Sequence, residues 1–237
     1  MFDENQPQMK GAMKKKSPIP IILIGALVVI AAAYMFLRGG SGGIGGLVPG
    51  STIDVESFAA VQSEYVLHPE DLTVEYFFVP GGESPFHNKE VTEVLGQLQG
   101  KEYLKATGRF DGWDVGLGKR NQSDLGPATY RSNLQVFDSV KGAKQAMQLD
   151  WFWAADFDRQ PDSVNDDNCG IGDDCILRTI QTVYVESNLT KMRYEVLFRY
   201  KNVVVWVSAR GLSVETDADD ALYAAEAVYA RLKDSGY

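Results

Sequence analysis

The chain is short of histidine, cysteine and, over most of its length, positive charge: 237 residues hold two His and two Cys. Five of its 23 Lys and Arg and two of its 32 Asp and Glu precede residue 51, which leaves 18 basic against 30 acidic residues in 51–237, a net of −12. A remainder so acidic does not read as a nucleic-acid binder, because phosphate contacts need a basic patch or stripe. His68 and His87 have no ligand-like spacing to another donor, which argues against zinc. There is no Gly-x-Ser-x-Gly elbow and no triad pattern around either His. The stretch Gly118 to Gly126 (GKRNQSDLG) and the glycines of 39–50 both lack the features of a phosphate loop. No pair of carboxylates stands out, so the expectation is a protein that is not an enzyme. The 45% hydrophobic and 11% aromatic content excludes wholesale disorder.

Against that sparse background one long apolar run is conspicuous. Ser17 to Leu37 (SPIPIILIGALVVIAAAYMFL) is uncharged and as a helix would span about 31 Å, the thickness of a bilayer core. Lys14, Lys15 and Lys16 precede it and a lone Arg38 follows, which by the positive-inside rule places the N-terminus in the cytoplasm. Pro18 and Pro20 fall in the first turn, where their missing N–H groups break no intrahelical bond. The competing reading is a cleaved signal peptide ending near Ala31-Ala32-Ala33, against which stand the continuing apolar Tyr34 to Leu37 and a long leader. The organisation expected is a cytoplasmic tail over 1–16, a transmembrane helix over 17–38, a Gly-rich linker over 39–50 and an extracytoplasmic domain over 51–237. Seven of the linker's twelve residues are Gly, the composition of a flexible tether.

Within 51–237, Val55, Phe58, Val61 or Gln62 and Tyr65 keep helical spacing behind Asp54 or Ser51 as N-cap. Leu72 to Val79 reads as a strand ended by Pro80-Gly81-Gly82. A helix from Asn88 shares a face among Val91, Val94, Leu95 and Leu98 and stops at Gly100. Strands are expected over Glu102 to Phe110, Trp113 to Lys119 and Tyr130 to Phe137. A helix from Ser139 follows, with Ala143, Ala146, Met147 and Trp151 on one face. After a polar loop come strands Leu177 to Glu186, Met192 to Tyr200 and Val203 to Arg210, the last two joined as a hairpin through Lys201-Asn202. A terminal helix is capped by Thr216 or Asp217, with Asp residues in its first turn and Arg231 and Lys233 in its last. The fold class is α+β: an antiparallel sheet covered by helices.

The stretches GRFDGWDVGL, YRSNLQVFDSVKGAKQAM, a loop containing GIGDD and the hairpin FRYKNVVVWVSARG, followed by a terminal helix, together resemble PsbP-like α/β/α-sandwich extracytoplasmic domains over about residues 101–237. The resemblance is one of pattern without a catalytic motif. It implies binding or assembly roles, such as an accessory subunit, and transfers no functional residue.

Cys169 and Cys175 enclose GIGDD, and an isolated pair in an extracytoplasmic domain is expected to form a disulfide. Asp162, Asp166, Asp167, Asp173 and Asp174 supply the hard oxygen ligands that calcium takes. The competing reading is a solvated loop whose Asx side chains cap its own turns. Trp113, Trp151, Trp153 and Trp206 could line a ligand pocket or anchor a partner; Trp206 in a strand and Trp151 on a helix face are natural core positions, whereas Trp153 lies off the helix stripe and is the candidate partner contact. Asn121 and Asn188 match the N-glycosylation pattern. These features lead to two functional expectations. One is a membrane-tethered domain that binds proteins as an accessory or assembly subunit of a cell-envelope complex. The other is an extracytoplasmic domain that binds or senses a small molecule or lipid.

Overall fold

The computed structural model describes residues 52–149, 169–184 and 189–236, together with the backbone of 164–166. The anticipated membrane segment, its tail and its linker lie outside the described residues. Among the described residues no helix is long and apolar enough to cross a membrane.

Seven strands form one sheet in the order β1-β2-β3-β7-β6-β5-β4, each antiparallel to its neighbours. They are β1 (Tyr76–Pro85), β2 (Arg109–Lys119), β3 (Thr129–Phe137), β4 (Val164–Asp166), β5 (Asp174–Tyr184), β6 (Leu189–Tyr200) and β7 (Val203–Leu212). Five helices accompany them among the described residues: α1 (Val55–Ala59), α2 (Asn88–Leu95), α3 (Gln97–Thr107), α4 (Val140–Gln148) and α5 (Ala218–Asp234).

Side-chain alternation along the strands builds two cores, one on each face of the sheet. On the first face α5 buries Ala221, Ala225, Val228 and Leu232 against β2, β3, β6 and β7, with Phe58 of α1 beside them. On the second face Val91, Tyr103 and Met147, from α2, α3 and α4, meet Phe137, Leu197 and Val204 of the sheet. Helices thus cover an antiparallel sheet from both sides, an α+β sandwich. The start of α5 matches its sequence: Asp217 accepts from the Asp220 N–H while Asp220 accepts from the Asp217 N–H, a reciprocal cap. Ser139 caps α4 through the Gly142 N–H at 3.1 Å.

Three elements differ from their sequence reading. The stretch expected as one helix from Asp54 to Tyr65 splits into α1 and a 3-10 turn at Gln62–Tyr65, because Val61 leaves the helical region at φ −126°. Glu102 to Phe110 is not a strand. It belongs mostly to α3, whose buried Gly100, Tyr103 and Thr107 are spaced three and four apart, a helical face. The helix from Asn88 accordingly ends at Gly96, where φ of +82° turns the chain, and not at Gly100. Gly100 lets α3 lie against α2, since a Cβ there would sit 2.7 Å from Thr92 Cα. Finally, β1 starts at Tyr76 and runs through Pro80-Gly81-Gly82 as a bulge: Phe78 faces Leu117, and pairing resumes with Glu83 opposite Val115.

Candidate functional site

The second face changes character along its length. Going from the end covered by α4 to the opposite end, β6 presents Leu197, Glu195, Arg193 and Lys191; β7 presents Val204, Trp206, Ser208 and Arg210; β3 presents Phe137, Gln135, Asn133 and Arg131. Each strand begins apolar and becomes polar or charged. A hydrogen-bonded chain runs across the transition. Tyr103 Oη donates to Gln135 Oε1 at 3.1 Å, Gln135 Nε2 to Asn133 Oδ1 at 2.9 Å, and Asn133 Nδ2 to Asp114 Oδ1 at 3.4 Å, with Arg131 paired to Asp114 at 3.1 Å. Glu195, 2% exposed, lies 3.1 Å from Arg193 and 3.8 Å from Arg178. A shallow groove, about 10 Å³ in volume, is lined by Ile180, Thr182, Lys191, Met192, Arg193 and Arg210.

At the same end of the sheet the β2–β3 loop, the β7–α5 turn and the start of β6 meet. Buried Lys119 donates to the carbonyls of Asp124 (2.5 Å) and Gly126 (2.9 Å) and lies 3.8 Å from Glu215, so it holds the β2–β3 loop against the β7–α5 turn. The Ser213 N–H donates to Thr190 O, joining that turn to the β5–β6 hairpin. Apolar side chains are exposed at this end: Leu125 at 77% on the loop and Val214 at 84% on the turn, with Val183 and Tyr184 at the end of β5, Leu189 at the start of β6 and Tyr223 on α5. Carboxylates surround them. Burial pushes the Tyr76, Tyr130 and Tyr194 phenols up, and Asp220, Asp217 or Asp124 add to each shift. Burial likewise holds the Asp220 carboxyl above its ordinary range, partly offset by the Asp217 N–H. A carboxyl raised in this way favours the fold below its unfolded pKa of 3.8 and ceases to do so as pH rises through its folded value. The described chain begins at the opposite end of the sheet, where Ile53 is bonded to Asn202 in the β6–β7 turn.

The residues anticipated from sequence are spread over other parts of the domain. Cys169 and Cys175 form the disulfide, with Cα atoms 5.5 Å apart. Two of the five anticipated calcium ligands are engaged by a buried cation: Arg199 Nε lies 2.5 Å from Asp174 and Nη1 2.8 Å from Asp173. Asp166 has its backbone in β4 opposite Leu177, while Asp162 and Asp167 lie outside the described residues. Among the described residues no group of three or more His, Cys, Asp or Glu is placed to hold a metal. Trp153, Trp151 and Asn188 are also outside them. Trp113 packs against the first core and Trp206 against the second. Asn121 folds back on its own loop, accepting from Ser123 and donating to Asp124.

The disulfide closes a short loop beside the Arg199 ion pairs, which gives a measurable consequence. Replacing Cys169 and Cys175 by Ser should cost about 2 kcal/mol by loop closure, which lowers Tm by about 6 °C in a domain of this size. Thermal unfolding of the double Ser protein beside the oxidised parent checks it.

Sequence spacing gave no hint of one further constellation. His87 Nδ1 lies 2.8 Å from Asp111 Oδ1, and Gln62 Nε2 donates to Asp111 Oδ2 at 3.1 Å. The cluster fastens the β1–α2 junction and the 3-10 turn onto β2. Its members are 24 and 49 residues apart in the chain, so only the packing of β2 between these segments reveals it.

No family model matches the chain, and no curated protein matches it. Among solved structures it is similar to the extracellular domain of PknH from Mycobacterium tuberculosis, at 10% identity and a TM-score of 0.35, over 78% of this chain and 93% of that one.

Proposed function

We propose that residues 51–237 form a non-enzymatic extracytoplasmic domain, carried by a single-pass anchor over 17–38 and a flexible linker over 39–50, that binds a protein partner as an accessory or assembly subunit of a cell-envelope complex. The observation that carries this reading is the group of exposed apolar side chains at one end of the sheet. Leu125 on the β2–β3 loop and Val214 on the β7–α5 turn lie there with Val183, Tyr184 and Leu189 at the ends of β5 and β6 and Tyr223 on α5, and Lys119 and the Ser213 N–H fasten the loop, the turn and β6 together. Apolar side chains exposed together and rimmed by polar residues are what protein interfaces use. The Cys169–Cys175 disulfide supports an oxidising compartment. The resemblance of residues 101–237 to PsbP-like sandwich domains implies roles in binding and assembly. The groove beside Arg193, at about 10 Å³, is itself too small to enclose a lipid or apolar ligand, which takes a pocket of roughly 300 Å³ or more.

The test is capture of a stoichiometric partner by the full chain from detergent-solubilised membranes, before and after Leu125→Asp and Val214→Asp. Both side chains are solvated, so Tm should move by less than about 2 °C. Partner recovery should fall at least tenfold, on the order expected when an interface anchor is lost. Recovery of the same partner by the doubly substituted chain would refute the surface. A purified chain with no partner but a bound small molecule in native mass spectrometry would refute the function.

A further inference from the structure

We propose that Lys191, Arg193 and Arg210 form a binding site for an oxyanion, a phosphate or carboxylate group, on the second face of the sheet. The register carries the argument. Arg193 on β6 lies directly opposite Arg210 on β7, and directly opposed side chains share a face with Cβ atoms about 5 Å apart. Like charges so placed repel. Lys191 lies two residues along β6 on that same face and faces Thr182 of β5. Three cations and a hydroxyl from three adjacent strands therefore line one groove, in a domain whose net charge is −12.

Glu195 lies against both Arg193 and Arg178. Arg210 is exposed and makes no ion pair among the described residues, while the Lys191 ammonium rests over the Tyr184 ring, 5.0 Å from its centroid. The exposed Arg210 guanidinium and the Lys191 ammonium, with Arg193 held behind them by Glu195, suit the oxygens of a phosphate or carboxylate, which accept charge-assisted hydrogen bonds from both. With about 10 Å³ of room, the groove admits oxygen atoms and leaves the body of a ligand outside. The site rests on register and charge, not on the partner reading, and either can fail without the other.

The experiment uses the full chain in an uncharged detergent at fixed ionic strength, titrated calorimetrically with inorganic phosphate, succinate and dihexanoyl phosphatidylglycerol below its micellar concentration. At least one probe should bind saturably, and Lys191→Gln and Arg210→Gln should each weaken it tenfold or more. Lys233→Gln, an exposed cation on the last turn of α5, should leave it unchanged. Arg210→Gln should also leave the Tm of the ligand-free protein unchanged or higher, because it removes one of two facing cations. A purely structural Arg210 would lower it. The tightest probe identifies the source: phosphate a free phosphoryl group, succinate a carboxylate, the short-chain lipid a headgroup. Absence of saturable binding by all three probes, or binding that survives both substitutions, overturns the site.

Discussion

Asn202→Ala should destabilise the domain by about 4 kcal/mol, a fall in Tm of roughly 12 °C, because it strips the partners from three buried backbone groups. Asn202 is completely buried in the β6–β7 turn. Its Oδ1 accepts from the Ile53 N–H at 2.6 Å, and its Nδ2 donates to Ile53 O at 3.0 Å and Phe137 O at 2.7 Å. One amide thus ties the N-terminal segment and the end of β3 to a turn 149 residues beyond Ile53. Each orphaned group costs about 1–3 kcal/mol, and water can recover part of that if the N-terminal segment lifts away. Asn202→Asp should be comparably harmful, since a carboxylate cannot donate to the two carbonyls and would face them with a negative charge. The measurement is urea unfolding at unchanged slope, with hydrogen exchange at the Ile53 amide. A loss below about 1 kcal/mol would show that this amide does not fasten the segment.

That turn also shows how far the sequence can be read. Alternating apolar residues flank Lys201-Asn202, and the hairpin forms where expected, with Tyr200 opposite Val203 and Lys201 at φ +53°. Once this closing pair is known, counting outward puts Arg193 opposite Arg210, so the cationic pair was within reach of the hairpin assignment. What sequence spacing cannot supply is which strands lie side by side when they are not joined by a short turn. The contact of β3 with β7 brings Asn133 and Arg131 beside Trp206 and Ser208 across some 70 residues of chain, and nothing local encodes it. The starts of α5, at Thr216 or Asp217, and of α4, at Ser139, were legible because capping residues mark the helix N-terminus locally; the choice of Asp217 rests on its exchange with Asp220. The α2–α3 break was not, since Gly96 and Gly100 are equally good stop signals, and only the close approach to Thr92 distinguishes them. The acidic loop suggested cation ligands because composition reveals oxygens and not their partners. Arg199, which engages two of them, lies on another strand.

The polar residues of the second face were the least legible, because a buried Arg within an alternating strand looks the same as a solvated one. Arg109 is the sharpest case. It is 4% exposed, and burial pushes its guanidinium down to about 10, with Tyr103 and then Asp111 and Glu90 opposing that shift. At neutral pH it is therefore a desolvated cation, held by neutral acceptors. Nε donates to Gln135 Oε1 at 2.7 Å, Nη1 to Asn88 Oδ1 at 2.6 Å, and Nη2 to Phe86 O, while the guanidinium lies over the Phe86 ring. One side chain at the start of β2 thus joins the β1–α2 connection, the first residue of α2 and the centre of β3. The strand leaves room for it at Gly112, where a Cβ would collide with the Arg109 guanidinium and sit 2.6 Å from Leu134 O.

Arg109→Ala should therefore cost about 4 kcal/mol, from the void left behind together with the Asn88 and Phe86 oxygens that lose their donor. Arg109→Lys should recover less than half of this, since one ammonium cannot reproduce a planar fork aimed at three separate acceptors. Gly112→Ala should approach the same loss from the opposite side by displacing the guanidinium. Combining it with Arg109→Ala should cost less than the sum of the two, because the collision disappears with the side chain. Chemical unfolding of the two single variants and the double variant measures this coupling. Strict additivity would mean that Gly112 is needed for the strand backbone and not for the arginine that crosses it.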